Sequence, residues 1–241
     1  MARLPRRPKS KHGPFAAIGG TIAVVVVAGF ALIYFVIFPT SSPKPFALTA
    51  STKTTPVSSG TQLAGRWTIA AGSQAGYRVR EKLAFLPAFS DAVGRTSAIT
   101  GDATFSESNS VVTATAASFV IDVYTLKSNE SLRDQHIHTI GLQSATYPKA
   151  TFVLSTPPAL PASALSGRVV DVSVTGLLTI HGTSRRVNIP LQIRLSSSRI
   201  QAVGSLTFPW NEFNMTAPSV GGFVSVTDRA TMEFDLALRR A

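Results

Sequence analysis

From Ala64 to the C-terminus, apolar and polar residues alternate with a period of two. Val170, Val172, Val174, Gly176, Leu178 and Ile180 are interleaved with Asp171, Ser173, Thr175, Leu177 and Thr179. Val187, Ile189, Leu191, Ile193 and Leu195 alternate in the same way with Asn188, Pro190, Gln192 and Arg194. Ile200, Ala202, Gly204 and Leu206 continue the pattern, as do Val224, Val226, Ala230, Met232, Phe234, Leu236 and Leu238. One apolar face and one wet face indicates antiparallel strands, since parallel strands are covered on both faces and lose the alternation. Further strands are predicted at Trp67–Ile69, Ala75–Leu83, Ala92–Phe105, Val111–Val123 and Ala150–Ser155. About nine short strands at hairpin spacing predict an all-β barrel or sandwich. One helix is predicted over Asn129–Leu142, capped by Ser128 or Asn129 and carrying Glu130 in its first turn.

Parity then assigns faces. In the stretch GLLTIHGTSRRVNIP (176–190) the inward residues are even before the turn and odd after it. Pairing Ile180 with Val187 satisfies this and predicts His181 opposite Arg186, on the outer face beside a loop of Gly182–Arg185. Several positions read as inward are small: Gly101, Ala114, Ala116, Gly176 and Gly204. They either leave a hollow inside a closed sheet or mark bends and bulges.

The first sixty residues follow another pattern. Phe15–Phe38 is 24 residues without a charge, long enough for a helix to cross a bilayer. The run is too long for a cleaved signal peptide, and no small-x-small site follows it directly. It therefore predicts a single-pass anchor, with cleavage at ALTAS (47–51) as the weaker alternative. Five Lys or Arg residues in positions 1–14 make that segment a basic cytoplasmic tail, which places the rest of the chain outside. Residues 39–61 are rich in Pro, Ser and Thr and predict a flexible linker. The remaining domain is 62–241.

Charge and composition narrow the function. The net charge is +11, but seven basic residues and no acid lie before position 61, which leaves only +4 for the rest. No basic stripe remains to bind nucleic acid. Without cysteine the chain has no disulfide, thiolate metal site or cysteine nucleophile. His136 and His138 form H-x-H, but on a helix residues two apart do not face one another, so no metal site is predicted. No nucleophile elbow, phosphate loop or dinucleotide fingerprint occurs, and the acids are scattered singly, so no enzyme is predicted.

Four stretches together resemble a known family: GRWTIAAGSQAGYRVRE (65–81), RDQHIHTIGLQSATYPKATF (133–152), GLLTIHGTSRRVNIP (176–190), and FPWNEFNM (208–215) through VSVTDRATMEFDLAL (224–238). They are similar, in order, to segments of the YceI-like family of extracytoplasmic, lipocalin-like proteins. The resemblance spans 62–241. It implies an antiparallel β-barrel of about eight strands with one inserted helix. It also implies a tunnel for polyisoprenoid, quinone-type or similar long-tailed lipids, with no catalytic chemistry and no resident cofactor.

Combined with the parity, this gives a barrel lining of Tyr77, Val79, Phe119, Ile121, Phe152, Leu154, Val172, Val174, Leu178, Ile189, Leu191, Ile193, Met232 and Phe234. Arg133 and Asp134 either lock the helix start or hold a polar head group at the mouth. Where many members carry an acidic, Phe-rich stretch, this chain has Gly141-Leu142-Gln143-Ser144, so no head-group preference carries over.

Overall fold

The computed structural model describes residues 42–48, 63–83, 89–109, 111–220, 222 and 224–241. Phe15–Phe38 lies outside them, and among the described residues no helix is long and apolar enough to cross a membrane. The strands are β1 (Gly65–Ile69), β2 (Gln74–Leu83), β3 (Phe89–Thr96), β4 (Ile99–Ser108), β5 (Val111–Asp122), β6 (Lys149–Thr156) and β7 (Ala159–Leu160). They continue with β8 (Val170–Ile180), β9 (Thr183–Leu195), β10 (Ile200–Pro209), β11 (Ser219–Val220) and β12 (Val224–Arg240). One α-helix, α1 (Ser131–Thr139), is inserted between β5 and β6.

All the pairings between strands are antiparallel, in the order β1-β4-β5-β6-β8-β9-β10-β12, and β1 pairs back onto β12 to close the ring. The long β12 makes this possible, because its C-terminal end pairs with β1 and its earlier residues pair with β2. β3 continues the wall beyond β2 and meets the segment after β5 at a single bridge, Arg95 with Lys127.

Two buried clusters close the barrel at its ends. At one end Leu63, Trp67, Phe105, Leu160, Leu195 and Ile200 pack together, with the Trp67 indole donating to the Leu63 carbonyl. At the other, beneath α1, lie Val123, Leu126, Ile180, Phe208, Phe213 and Met215.

Four local readings are corrected. The predicted strand Ala92–Phe105 breaks into β3 and β4, because the Thr96 hydroxyl accepts from the Ala98 amide and turns the chain. The helix is shorter than Asn129–Leu142 and is capped by Glu130, whose carboxylate accepts from the Leu132 amide. Ser128 is otherwise engaged: its hydroxyl donates to Asp134 and accepts from the Glu130 amide. Ala116 is exposed, not inward, since the register of β4 and β5 shifts between Thr104 and Phe105 and flips the parity beyond Ala114.

The fourth correction concerns His181. Ile180 pairs with Thr183, not Val187, so the parity is right and the loop is shorter. His181 (φ 51°) and Gly182 (φ 68°) form the turn themselves, the two left-handed positions of a tight hairpin. Arg186 instead faces Leu177. The His181 ring packs on Tyr147 and its Nε2 bonds Gln143 Oε1 at 2.8 Å, so it ties the hairpin to the segment after the helix.

Part of the segment expected as flexible linker is laid on the barrel wall. The Ser42 hydroxyl donates to the Asp91 carbonyl. Arg78 and Arg95 donate to the carbonyls of Pro43 and Lys44, at 2.7 and 2.6 Å. The Arg95 guanidinium lies 3.8 Å over the Phe46 ring, and Leu48 is buried.

Candidate functional site

The inner face of the barrel is a continuous apolar surface. All fourteen lining residues read from the sequence lie within its clusters. Val79, Leu178 and Ile189 are buried at the helix end, and Leu191 and Ile193 at the opposite end. The other nine are half-buried. Phe119, Leu154 and Val172 pack on the far cluster, Tyr77, Ile121, Phe152 and Met232 on the helix-end cluster, and Val174 and Phe234 on both. A third buried cluster, Ala75, Ile99 and Leu236, also packs on Phe119, Ile121 and Phe234. These nine side chains nonetheless keep accessible surface between the two packed ends.

The small inward residues explain how. A Cβ on Gly94 would lie 2.3 Å from the Tyr77 ring, one on Gly176 2.3 Å from the Phe152 ring, and one on Gly204 2.6 Å from the Phe234 ring. On Gly101 (φ 134°) it would meet the Phe119 ring at 2.9 Å. Each glycine is the seat of one aromatic ring, which occupies the space that a Cβ would take. Three of these pairs are directly in register: Tyr77 with Gly94, Phe119 with Gly101 and Phe234 with Gly204. A cross-strand aromatic over glycine also covers backbone that would otherwise be bare. Neither sequence reading of these glycines, hollow or bend, names this arrangement. Ala202 and Leu206 on β10 are half-buried against the same clusters and were not among the expected lining residues.

The helix end carries the polar chemistry. Glu81 sits on the inward parity of β2, after Ala75, Tyr77 and Val79, and is buried. Arg133 reaches down from α1 and pairs with it in two parallel bonds of 2.9 Å each. Its remaining terminal nitrogen donates to Asn129 at 2.9 Å and to Ser128 at 3.3 Å. Burial works against the Arg133 charge, but the bonds and charge of Glu81 outweigh it and raise its pKa above the ordinary value. Asp134 accepts from the Ser128 amide and hydroxyl, both at 2.8 Å. Arg133 thus ties the helix to β2 through Glu81, and Asp134 ties it to the segment before it through Ser128. Glu81 is the partner missed in the sequence, although an acid on an otherwise apolar parity was its signal.

The Tyr77 hydroxyl lies among these groups. Burial is the main cause that pushes it well above its ordinary value of 10.0, with Arg133 opposing and Asp134 and Glu81 adding to the rise. The neutral phenol is the form that the fold favours. Its contribution is full below the unfolded value near 10 and is lost as pH rises through that value toward the folded one. Thermal melts between pH about 9 and 11 are therefore expected to fall more steeply for the native protein than for Tyr77→Phe, by at most about 1.4 kcal/mol per pH unit. Equal slopes would remove this role.

Of the two histidines of H-x-H, His138 has structural partners. His138 stacks on Tyr124 at 4.3 Å, and its Nδ1 bonds the Ser144 hydroxyl at 2.8 Å. Among the described residues no group of three metal-ligating side chains occurs.

Residues 67–238 match the YceI-like domain. A UPF0312 protein of Vibrio parahaemolyticus is 28% identical over 149 residues, which cover 59% of this chain and 64% of that protein. The chain thus spans a little under two thirds of that relative's length. Two solved structures share the fold. A polyisoprenoid binding domain from Saccharophagus degradans, implicated in plant cell wall breakdown, gives a TM-score of 0.53 at 17% identity, covering 74% of this chain and 99% of its own. BcnA of Burkholderia cenocepacia gives 0.50 at 20% identity, covering 70% and 98%.

Proposed function

The chain belongs to the YceI-like family, and on that premise we propose that its barrel binds a long-chain apolar lipid, of polyisoprenoid or quinone type, without acting on it chemically. The observation that carries this reading is the ring of nine half-buried inward side chains between two packed ends. Each methylene moved from water onto such a surface contributes about 0.8 kcal/mol, so a long isoprenoid needs few polar contacts to bind. Its polar end meets the Glu81–Arg133–Tyr77 group beneath the helix, where a neutral phenol offers a hydrogen bond and the Glu81–Arg133 pair leaves no free charge. The domain structure of the Saccharophagus protein, whose described ligand is a polyisoprenoid, supports the same class of ligand. In this reading residues 15–38 cross the membrane, residues 1–14 are cytoplasmic and the barrel is extracytoplasmic.

The test is direct. Residues 42–241, purified with a normal melting transition, are extracted with organic solvent and the extract is analysed by mass spectrometry. The expected result is a co-purifying long-chain lipid. A folded protein that yields none, and that takes up no added polyprenol, overturns the proposal.

A further inference from the structure

The strap of residues 42–48 reaches the barrel at one particular corner. Its first residue, Ser42, is fastened to Asp91, and Asp91 pairs with Arg80 near the end of β2 and the start of β3. At that corner Phe89 is 47% exposed, with the Arg80 guanidinium 5.3 Å and the Lys82 ammonium 5.9 Å from its ring centre. The outward positions of β2 are Arg78, Arg80 and Lys82 in succession, and Lys44 on the strap adds another exposed cation. Opposing them are Asp91, bonded to Arg78 at 3.1 Å, and Glu233, which is buried. The corner therefore keeps an excess of positive charge around an exposed aromatic ring. It lies at the end of the barrel that carries α1, whose Leu132 is 58% exposed.

The geometry points to this corner as a docking surface for an anionic lipid bilayer, which would hold the helix-bearing end of the barrel against the membrane. The inference rests on the reading of 15–38 as an anchor. Between Phe38 and Ser42 lie only Pro39, Thr40 and Ser41, a stretch that spans at most about 14 Å fully extended. In that reading the tether before the strap is three residues long, and the strap's first residue is fastened at the cationic, aromatic corner and not at the far end closed by Trp67. Cations attract an anionic leaflet, and an aromatic ring suits the headgroup boundary. The consequence for lipid binding is that the polar end of the lumen lies next to the bilayer that supplies the ligand.

The chain contains no cysteine, so single labels can be placed on it cleanly. The full chain is reconstituted into phosphatidylcholine vesicles with or without phosphatidylglycerol, with a fluorophore on Leu132→Cys or, at the opposite end, on Ser198→Cys. A lipid-borne quencher is expected to quench the Leu132→Cys label several-fold more than the Ser198→Cys label when phosphatidylglycerol is present. Arg80→Glu with Lys82→Glu should at least halve that difference while the melting temperature is unchanged. Equal quenching of the two labels, or no response to charge reversal, overturns the docking surface. If an extract of the same sample still contains lipid, the lipid-binding proposal stands without it. A chain that alkaline carbonate strips from the vesicles overturns the anchor and this inference together.

Discussion

Replacing Glu233 by alanine is expected to destabilise the barrel by about 3 kcal/mol, the largest loss from any single side chain on its outer wall. Met232 and Phe234 face the lumen, so Glu233 points outward, yet it is only 3% exposed. Arg78, Arg95 and the strap cover it. Its carboxylate accepts from Arg78 Nε at 3.2 Å and from Arg95 at 3.1 and 2.7 Å. Removing one partner from a buried pair costs about 3–5 kcal/mol, because the remaining charge is left desolvated. The lower end applies here, since Arg78 keeps Asp91 and the Pro43 carbonyl, and Arg95 keeps the Lys44 carbonyl and the Phe46 ring. For a domain of this size the melting temperature should fall by about 6–12 °C. Glu233→Gln, which keeps the shape and one acceptor, should lose less than half as much. Amide exchange of residues 42–48 should rise in Glu233→Ala, because the two arginines that it orients hold the strap carbonyls. A melting temperature within about 2 °C of the native value would show that the strap and not the carboxylate organises this wall.

The strap also marks where sequence reading stops. A segment of Pro, Ser and Thr has too little apolar surface to order itself, and composition reports nothing else. Its order comes from Arg78, Arg95 and Asp91, distant in sequence, and no local pattern announces them. The strands, by contrast, were legible because period two is imposed locally by burial of one face. That is why the apolar residues of β8, β9 and β12 read as inward, the face on which the buried clusters lie. Ala116 fails for a reason of the same kind in reverse: one extra residue in β5 flips parity, and a bulge leaves no mark on composition. The Ile180–Thr183 register was likewise invisible to parity, which fixes only whether an index sum is odd and not its value. Glu81 was visible but unread, since a lone acid on an apolar parity predicts a buried partner without naming Arg133.

Val174→Trp is expected to raise the stability of the barrel and abolish lipid retention, and its sign separates a hollow interior from a solid one. Val174 is half-buried and packs against both end clusters, so a larger side chain there grows into the space between them. Its cross-strand neighbour Ile189 is buried and leaves room only toward the lumen. In a filled barrel the added ring overpacks the core and costs about 1–3 kcal/mol. In a hollow one it buries new apolar surface against Phe234 and the helix-end cluster, and contributes up to about 2 kcal/mol. A rise in melting temperature of a few degrees, with co-purified lipid falling at least tenfold, is the expected pair of results. Lower stability with undiminished lipid would place the ligand elsewhere, and lower stability with no lipid in either protein would make the barrel a solid scaffold. The glycine seats explain why the first result is expected. Tyr77, Phe119, Phe152 and Phe234 each lie over a residue that has no side chain, an arrangement that draws four aromatic rings toward the wall. A fold that needed a solid core would gain more by turning those rings inward.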